Sequence, residues 1–426
     1  MTNPEKMDSA ESPLEQRSRA RREAASKGKK RRPAREKKPK KREKKPFLMP
    51  FPVRLAVGAV CIVLSLFALR WVTLNIHPGS ETTAASSTAS KTSMNLMTQF
   101  NNFINNAASD ALSEIVTIRK HYSIDESVTV APEPNQSQFG STTDPAEIQA
   151  IIDLCADLLE GQEISWNADI QTYRDTGFQY YYDETILVIT WKELIDNRLC
   201  SISEVKVADG SQLRRKLAND TYSAGVQYYA TDMAKDCNAV VAINGDFYAF
   251  RTIGVTVYQR QLYRFNPSTL DTCHFTASGD MLFSYAGTLT DAESTQQFVD
   301  DNDIVFTVSF GPILVDDGEL VDFNQNYPIG EVSTHYSRTA IGQIDSLHYL
   351  LMTVNFSDYG DVRTATMSEL ASFMYQKGCQ KAYALDGGQT SVMIFNGELV
   401  NHVDWGYERT MSDIIYFCTA VPEEES

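Results

Sequence analysis

Histidine and cysteine are scarce, with six His and seven Cys among 426 residues. They fall into no HExxH, CxxC or EF-hand pattern, which excludes the usual zinc sites. A Ca²⁺ or Mg²⁺ ion held by carboxylates and backbone oxygens leaves little trace in a sequence, so a divalent cation stays open and no other cofactor is expected. The 22 Gly and 15 Pro are thinly spread, which rules out collagen-like and mucin-like chains. The cysteines are too sparse for a small disulfide scaffold. Six of them, Cys155, Cys200, Cys237, Cys273, Cys379 and Cys418, lie beyond the long apolar run. Cys237, Cys379 and Cys418 sit in apolar or helix-end settings that suit buried thiols. Gly387-Gly388 is not followed by Gly-Lys-Ser/Thr, so a P-loop is absent and nucleotide binding is disfavoured.

Charge is abundant but segregated. The overall balance of −16 divides into +12 over residues 1–54 and −28 over residues 55–426. An acidic body excludes a cationic nucleic-acid-binding domain, and no nucleic-acid partner is expected. The basic tail, rich in Lys, Arg, Glu, Ala and Pro, cannot bury a core and reads as disordered. It abuts an apolar run at 55–76, about 33 Å long as a helix, enough for a hydrocarbon core of about 30 Å. Arg70 can snorkel beside Trp71 near its outer end. The positive-inside rule makes this run a signal-anchor with the tail cytoplasmic and everything after it extracytoplasmic, on a cell surface of bacterial type. Residues 77–168 read as linkers and a helical stalk. Met97, Phe100, Ile104, Ala107, Ala111, Ile115, Ile118 and Tyr122 step by threes and fours within 94–122. That stripe suits either a homodimerising stalk or a helix packed on the body. The three sequons, at Asn135, Asn219 and Asn355, would matter only in a eukaryotic secretory pathway.

The globular domain is expected over 169–421. Strands are expected at 186–191, 204–208, 239–243 and 381–385, and helices at 145–160, 222–236 and after Thr366. Thr366-Met-Ser-Glu369 is a capping box, closed by Gly378. Hairpin turns are signalled at 278–280, 316–319, 345–346 and 396–397. Many hairpins and few helices indicate an α+β fold of mixed or antiparallel sheets with a few packed helices. Cys237…Asn244-Gly-Asp and Cys379…Asp386-Gly-Gly echo each other, each with a helix, a strand and then a polar turn. Two such turns could face one pocket.

Taken singly, Asn-Gly-Asp and Asp-Gly-Gly are ordinary turn formers, and Arg338 and Arg409 could be structural ion pairs. Together, Asn244-Gly-Asp-Phe, Phe310-Gly-Pro-Ile-Leu with Gly318, Arg338-Thr-Ala-Ile-Gly342, Leu385-Asp-Gly-Gly-Gln-Thr-Ser391 and Glu408-Arg409 resemble the phosphodiester glycosidase family. The resemblance covers roughly 226–417. The chain departs from the pattern at Asp246 and Gln389, where smaller residues are usual, giving a bulkier pocket floor.

The resemblance implies a hydrolase that releases a sugar from a sugar-1-phosphodiester, with a surface glycan or exopolysaccharide as substrate. Cleavage at the anomeric carbon builds oxocarbenium character and calls for a carboxylate nearby. Asp386 is the first candidate and Asp246 the second; Glu408 could serve as an acid or orient Arg409. Arg338 and Arg409 would hold the phosphate, with the backbone N–H groups of Gly387 and Gly388 as an anion nest. Asn244 would bond sugar hydroxyls, and Gly245, Thr390 and Ser391 complete the expected substrate-binding set. The alternative is a catalytically silent carbohydrate-binding or wall-assembly protein that keeps the same pocket.

Overall fold

The computed structural model describes residues 122–421, apart from 224 and 268. The basic tail, the 55–76 run and nearly all of the 94–122 stripe lie outside the described residues, and no helix among the described residues is long and apolar enough to cross a membrane.

The first strands are β1 (Phe139–Thr142), β2 (Phe178–Tyr182), β3 (Ile186–Ile195), β4 (Arg198–Val207), β5 (Leu213–Leu217) and β6 (Val241–Asn244). Next come β7 (Gly254–Tyr258), β8 (Gln261–Asn266), β9 (Thr272–Thr276), β10 (Met281–Ser284), β11 (Ile304–Val308), β12 (Ile313–Asp316) and β13 (Glu319–Leu320). The last are β14 (Arg338–Asp345), β15 (His348–Asn355), β16 (Lys381–Leu385), β17 (Met393–Phe395), β18 (Glu398–Leu399) and β19 (Asp413–Phe417). Helices are α1 (Pro145–Leu154), α2 (Ala156–Leu159), α3 (Ala230–Asp236), α4 (Ala292–Asp301) and α5 (Met367–Gln376).

These strands form a nine-stranded sheet, β1-β2-β3-β4-β15-β14-β16-β12-β13, and two five-stranded sheets, β10-β9-β11-β7-β8 and β18-β17-β6-β19-β5. Neighbours within all three sheets pair antiparallel, so the α+β expectation resolves to antiparallel ladders.

The large sheet is covered on both faces, which explains its nearly continuous apolar strands. Along β3, Leu187, Ile189 and Trp191 pack with Ile148, Leu370 and Phe373 of the helices. Ile186 and Val188 point the other way, toward Ile243, Phe275 and Ile415 of the smaller sheets. Helix α3 closes the far side through Met233 and Ala234 against Ala242 and Ile414.

All four expected hairpin turns join paired strands, and Thr366 and Glu369 make the reciprocal capping box that opens α5. Two expectations differ. The helix expected over 222–236 is confined to Ala230–Asp236, because Gly225 takes a φ of +91° and Tyr228 bridges Met411 in β fashion. The domain also begins before 169, since β1 pairs with β2 and Ile124 and Ala131 are buried in the core beside α3. The six described cysteines are free and buried. Burial pushes the Cys155 and Cys237 thiols up to about 12, which keeps them protonated.

Candidate active site

Strands β14 and β16 pair with Thr339 opposite Leu385, which brings Arg338 and Asp386 to the same end of the large sheet. Strand β6 ends beside them at Asn244. The two echoed turns meet directly: Asn244 Nδ2 donates to the Asp386 carbonyl at 2.8 Å, and the Asp386 N–H donates to the Gly245 carbonyl at 3.3 Å. A cleft of about 500 Å³ opens there, walled by Phe247, Phe310 and Tyr336, with Arg251, Glu331 and Asp386 among its polar groups.

Asp386 is half-buried at this cleft. Its Oδ1 accepts the Gly387 N–H at 2.9 Å and its Oδ2 accepts the Thr390 hydroxyl at 2.7 Å. Burial pushes the carboxyl up to about 6, against the pull of those hydrogen bonds and of the Arg251 and Arg409 charges. A carboxyl poised near neutrality, with its orientation fixed and lone pairs still open, suits proton transfer or attack at an electrophilic carbon.

Asp246 has the opposite surroundings. It is fully buried, accepting from Arg215 Nη2 at 2.9 Å, the Tyr248 N–H at 3.0 Å and the Ser309 N–H at 2.8 Å. Arg215 also grips Asp413 at 2.7 Å, and burial together with the Asp246 charge pushes the Asp413 carboxyl up while Arg215 pulls it back. Asp246 is therefore an internal anchor rather than a carboxylate facing a substrate. Its Oδ2 lies 3.5 Å from Arg251 Nη2, so it positions that arginine.

Several expected contacts are committed within the protein. Glu408 accepts the Thr231 N–H at 3.0 Å and the Thr231 hydroxyl at 2.8 Å, capping α3 instead of standing as a free acid. The Asn244 amide is 1% exposed; beyond the turn contacts, its oxygen accepts from Thr339 Oγ1 at 2.8 Å and the Val392 N–H at 3.2 Å. It clamps the two turns together and does not reach a sugar. Gly245 is buried, and a Cβ there would fall 1.8 Å from Asp413 Oδ2. Thr390 and Ser391 are buried too: Thr390 orients Asp386, while Ser391 Oγ donates to the Arg338 carbonyl at 3.0 Å.

Arg338 lines the cleft, yet its guanidinium donates to the carbonyls of Ala365, Gly330, Glu331 and Thr334. Burial pulls it down to about 10, still cationic at neutral pH. It organises the 330–334 loop and has little left for a bidentate phosphate contact. The expected anion nest is occupied as well, since the Gly387 N–H goes to Asp386 and the Gly388 N–H to the Ser337 carbonyl at 2.8 Å.

Positive charge reaches the cleft differently. Exposed Arg409 lies over the stacked rings of Phe247 and Phe250, 5.6 and 5.5 Å from their centroids, and makes no ion pair among the described residues. Arg251 was not singled out from the sequence. Its side chain is 9% exposed, and its Nε and Nη1 are buried without a hydrogen-bond partner among the described residues. Its only early signal is its position four residues after the Asn244-Gly-Asp-Phe stretch. Glu331, which accepts from Tyr336 at 3.1 Å, adds a second carboxylate to the cleft lining. No group of three or more His, Cys, Asp or Glu side chains among the described residues is placed to hold a metal ion.

Comparison with known proteins gives a family match and distant structural likenesses. The model of the family described as phosphodiester glycosidase matches residues 237–418. No curated protein matches the sequence. Among solved structures, the catalytic domain of zebrafish N-acetylglucosamine-1-phosphodiester alpha-N-acetylglucosaminidase is similar at 18% identity and a TM-score of 0.44. That likeness covers 55% of this chain and 83% of the zebrafish one. A hypothetical protein from Synechocystis is similar at 16% identity and a TM-score of 0.41, over 59% of this chain and 64% of its own. The stretch similar to the phosphodiester glycosidase family, residues 237–418, takes in both the Asp386 turn and the Asn244 clamp.

Proposed function

We propose that this domain hydrolyses a sugar-1-phosphodiester at the anomeric carbon, giving a free sugar and a phosphate monoester. One observation carries the reading: an oriented carboxyl, Asp386, poised near pH 6 in a cleft lined by Arg251, which has donors to spare, and bordered by Arg409 over the Phe247 wall. Departure of the phosphate monoester leaves positive character at C1, which the Asp386 carboxylate stabilises as nucleophile or as base toward the attacking water. The phosphate is already a good leaving group, so it needs charge neutralisation more than a strong acid. Arg251 and Arg409 are placed to supply that.

The chain is read as tethered through 55–76, with the basic tail cytoplasmic, the domain outside and a surface glycan or exopolysaccharide as its substrate. The 94–122 stripe is read as a stalk that pairs two copies. Deleting 55–76 is expected to move the protein from the membrane fraction to the soluble fraction; retention on the membrane would overturn the anchor. For the chemistry, the full-length chain is incubated with UDP-GlcNAc and a panel of sugar-1-phosphodiesters, with and without Ca²⁺ or Mg²⁺. Mass spectrometry is expected to detect free sugar from at least one member. Saturable binding to a member without any release would favour the silent carbohydrate-binding protein.

A further inference from the structure

A second cavity, of about 220 Å³, adjoins the Asp386 cleft and is lined by Tyr222, Tyr248, Ala249, Arg251, Thr252 and Arg264. Arg251 borders both spaces. Its Nη2 is committed to the Ser309 carbonyl and to Asp246. Its Nε and Nη1 are not. Arg264, on β8, donates through Nη1 to the carbonyls of Tyr248 at 2.9 Å and Arg251 at 2.7 Å. Its Nε and Nη2 are also buried without a partner among the described residues.

The two arginines that line this cavity thus carry four guanidinium nitrogens without a partner among the described residues. Burying charged donors without a hydrogen-bond partner in the protein is costly. The neighbouring carboxylates do not absorb the charge. Asp246 and Asp413 are both gripped by Arg215, Arg251 reaches Asp246 only at 3.5 Å, and Arg264 makes no ion pair among the described residues. Burial pulls the Arg264 guanidinium below its ordinary value, with the Arg251 and Arg215 charges acting in the same direction. An anion in the cavity relieves both costs. Planar forks favour an oxyanion such as phosphate over a halide. Tyr222, stacked on Tyr248 at 5.2 Å and leaning on Tyr263 at 5.1 Å, forms an aromatic wall for the carbon side of an ester.

We propose that Arg251 and Arg264 form a second phosphate-binding pocket beside the Asp386 cleft, with Arg251 shared between the two. The pocket goes beyond the hydrolase reading and does not depend on it, because its test reads binding rather than turnover. The phosphate comes either from free inorganic phosphate or from a second phosphate along the substrate.

Calorimetric titration of the full-length chain with inorganic phosphate is expected to show saturable binding. Arg264→Gln should weaken it by at least about tenfold, the loss of a charged hydrogen-bond pair. Arg174→Gln, at an exposed arginine that pairs with Asp361 and lines neither space, should leave it within about twofold. Should Arg264→Gln fold poorly by its melting curve, Arg264→Lys tests the same point, since it keeps the charge and loses the fork. It should still weaken binding. A bis-phosphodiester that binds wild type more tightly than a mono-phosphodiester, but binds Arg264→Gln no more tightly, assigns the phosphate to the substrate. Equal binding of the two esters alongside phosphate binding assigns the pocket to free phosphate. Absence of saturable phosphate binding, or binding that Arg264→Gln leaves unaffected, overturns the pocket.

Discussion

Asp386 and Asp246 close equivalent turns, and their surroundings assign them different work. Asp246 is spent on Arg215, Arg251 and two backbone N–H groups, whereas Asp386 has two local bonds and an open cleft. If the carboxylate form acts, kcat/KM rises with pH through about 6 and then levels. Arg409→Gln removes a charge that favours the ionised form, so it should move that limb to higher pH; a pH–rate profile of the variant checks the direction. Stability changes in the opposite sense. The folded chain keeps the Asp386 proton up to about 6, while an unfolded carboxyl loses it near 4. Folding free energy should therefore weaken as pH rises across that window, and Asp386→Asn should remove this part of the slope in denaturant titrations. Arg338 is predicted to matter through its loop. Arg338→Gln leaves the buried Ala365 carbonyl and the part-buried carbonyls of the 330–334 loop without donors, at a cost of about 1–3 kcal/mol measurable by denaturant unfolding.

At the scale of elements, the site is two β-strand ends locked together. Gly245 passes so close to Asp413 that no side chain fits, and Gly387 would place a Cβ 2.4 Å from the Ser337 carbonyl. Gly245→Ala should cost about 3 kcal/mol or more, at the upper end of single substitutions, because the obstacle is a carboxylate fixed by Arg215. A melting temperature unchanged in that variant would contradict the packing described. Hairpins and the α5 cap were legible in the sequence because turn and cap chemistry is local. The echo of Asn244 and Asp386 was legible for the same reason, as a strand followed by a polar turn. The helix expected from Tyr222 was misjudged because tertiary contacts override propensity there. Tyr222 stacks on Tyr248, and the Tyr228 N–H donates to the Met411 carbonyl at 3.1 Å.

Across the whole molecule, three antiparallel sheets bury charged residues that no local pattern marks as internal. Arg215 reads as one of three basic residues in Leu213–Leu217 and is completely buried between partners 31 and 198 positions away. Such pairings are set by topology, which is why no local pattern marks Arg251, Arg215 and Asp413, whereas Asp386 stands in a local strand-and-turn pattern. The acidic body has a consequence of its own. With −28 over residues 55–426, a polyanionic glycan is repelled at long range. Raising ionic strength from about 0.01 to 0.15 M shortens the Debye length from about 30 to 8 Å. The KM for a polymer should fall over that range while the KM for a single sugar-1-phosphodiester changes little.

The central claim is that Asp386 performs the chemistry without holding the fold. The direct measurement compares wild type and Asp386→Asn on one sugar-1-phosphodiester that wild type cleaves, following sugar release and binding in parallel with thermal unfolding. Release should fall by at least about a hundredfold, the scale of a lost acid–base group, with binding and melting temperature close to wild type. Unaltered release, or a variant that no longer folds, would contradict it.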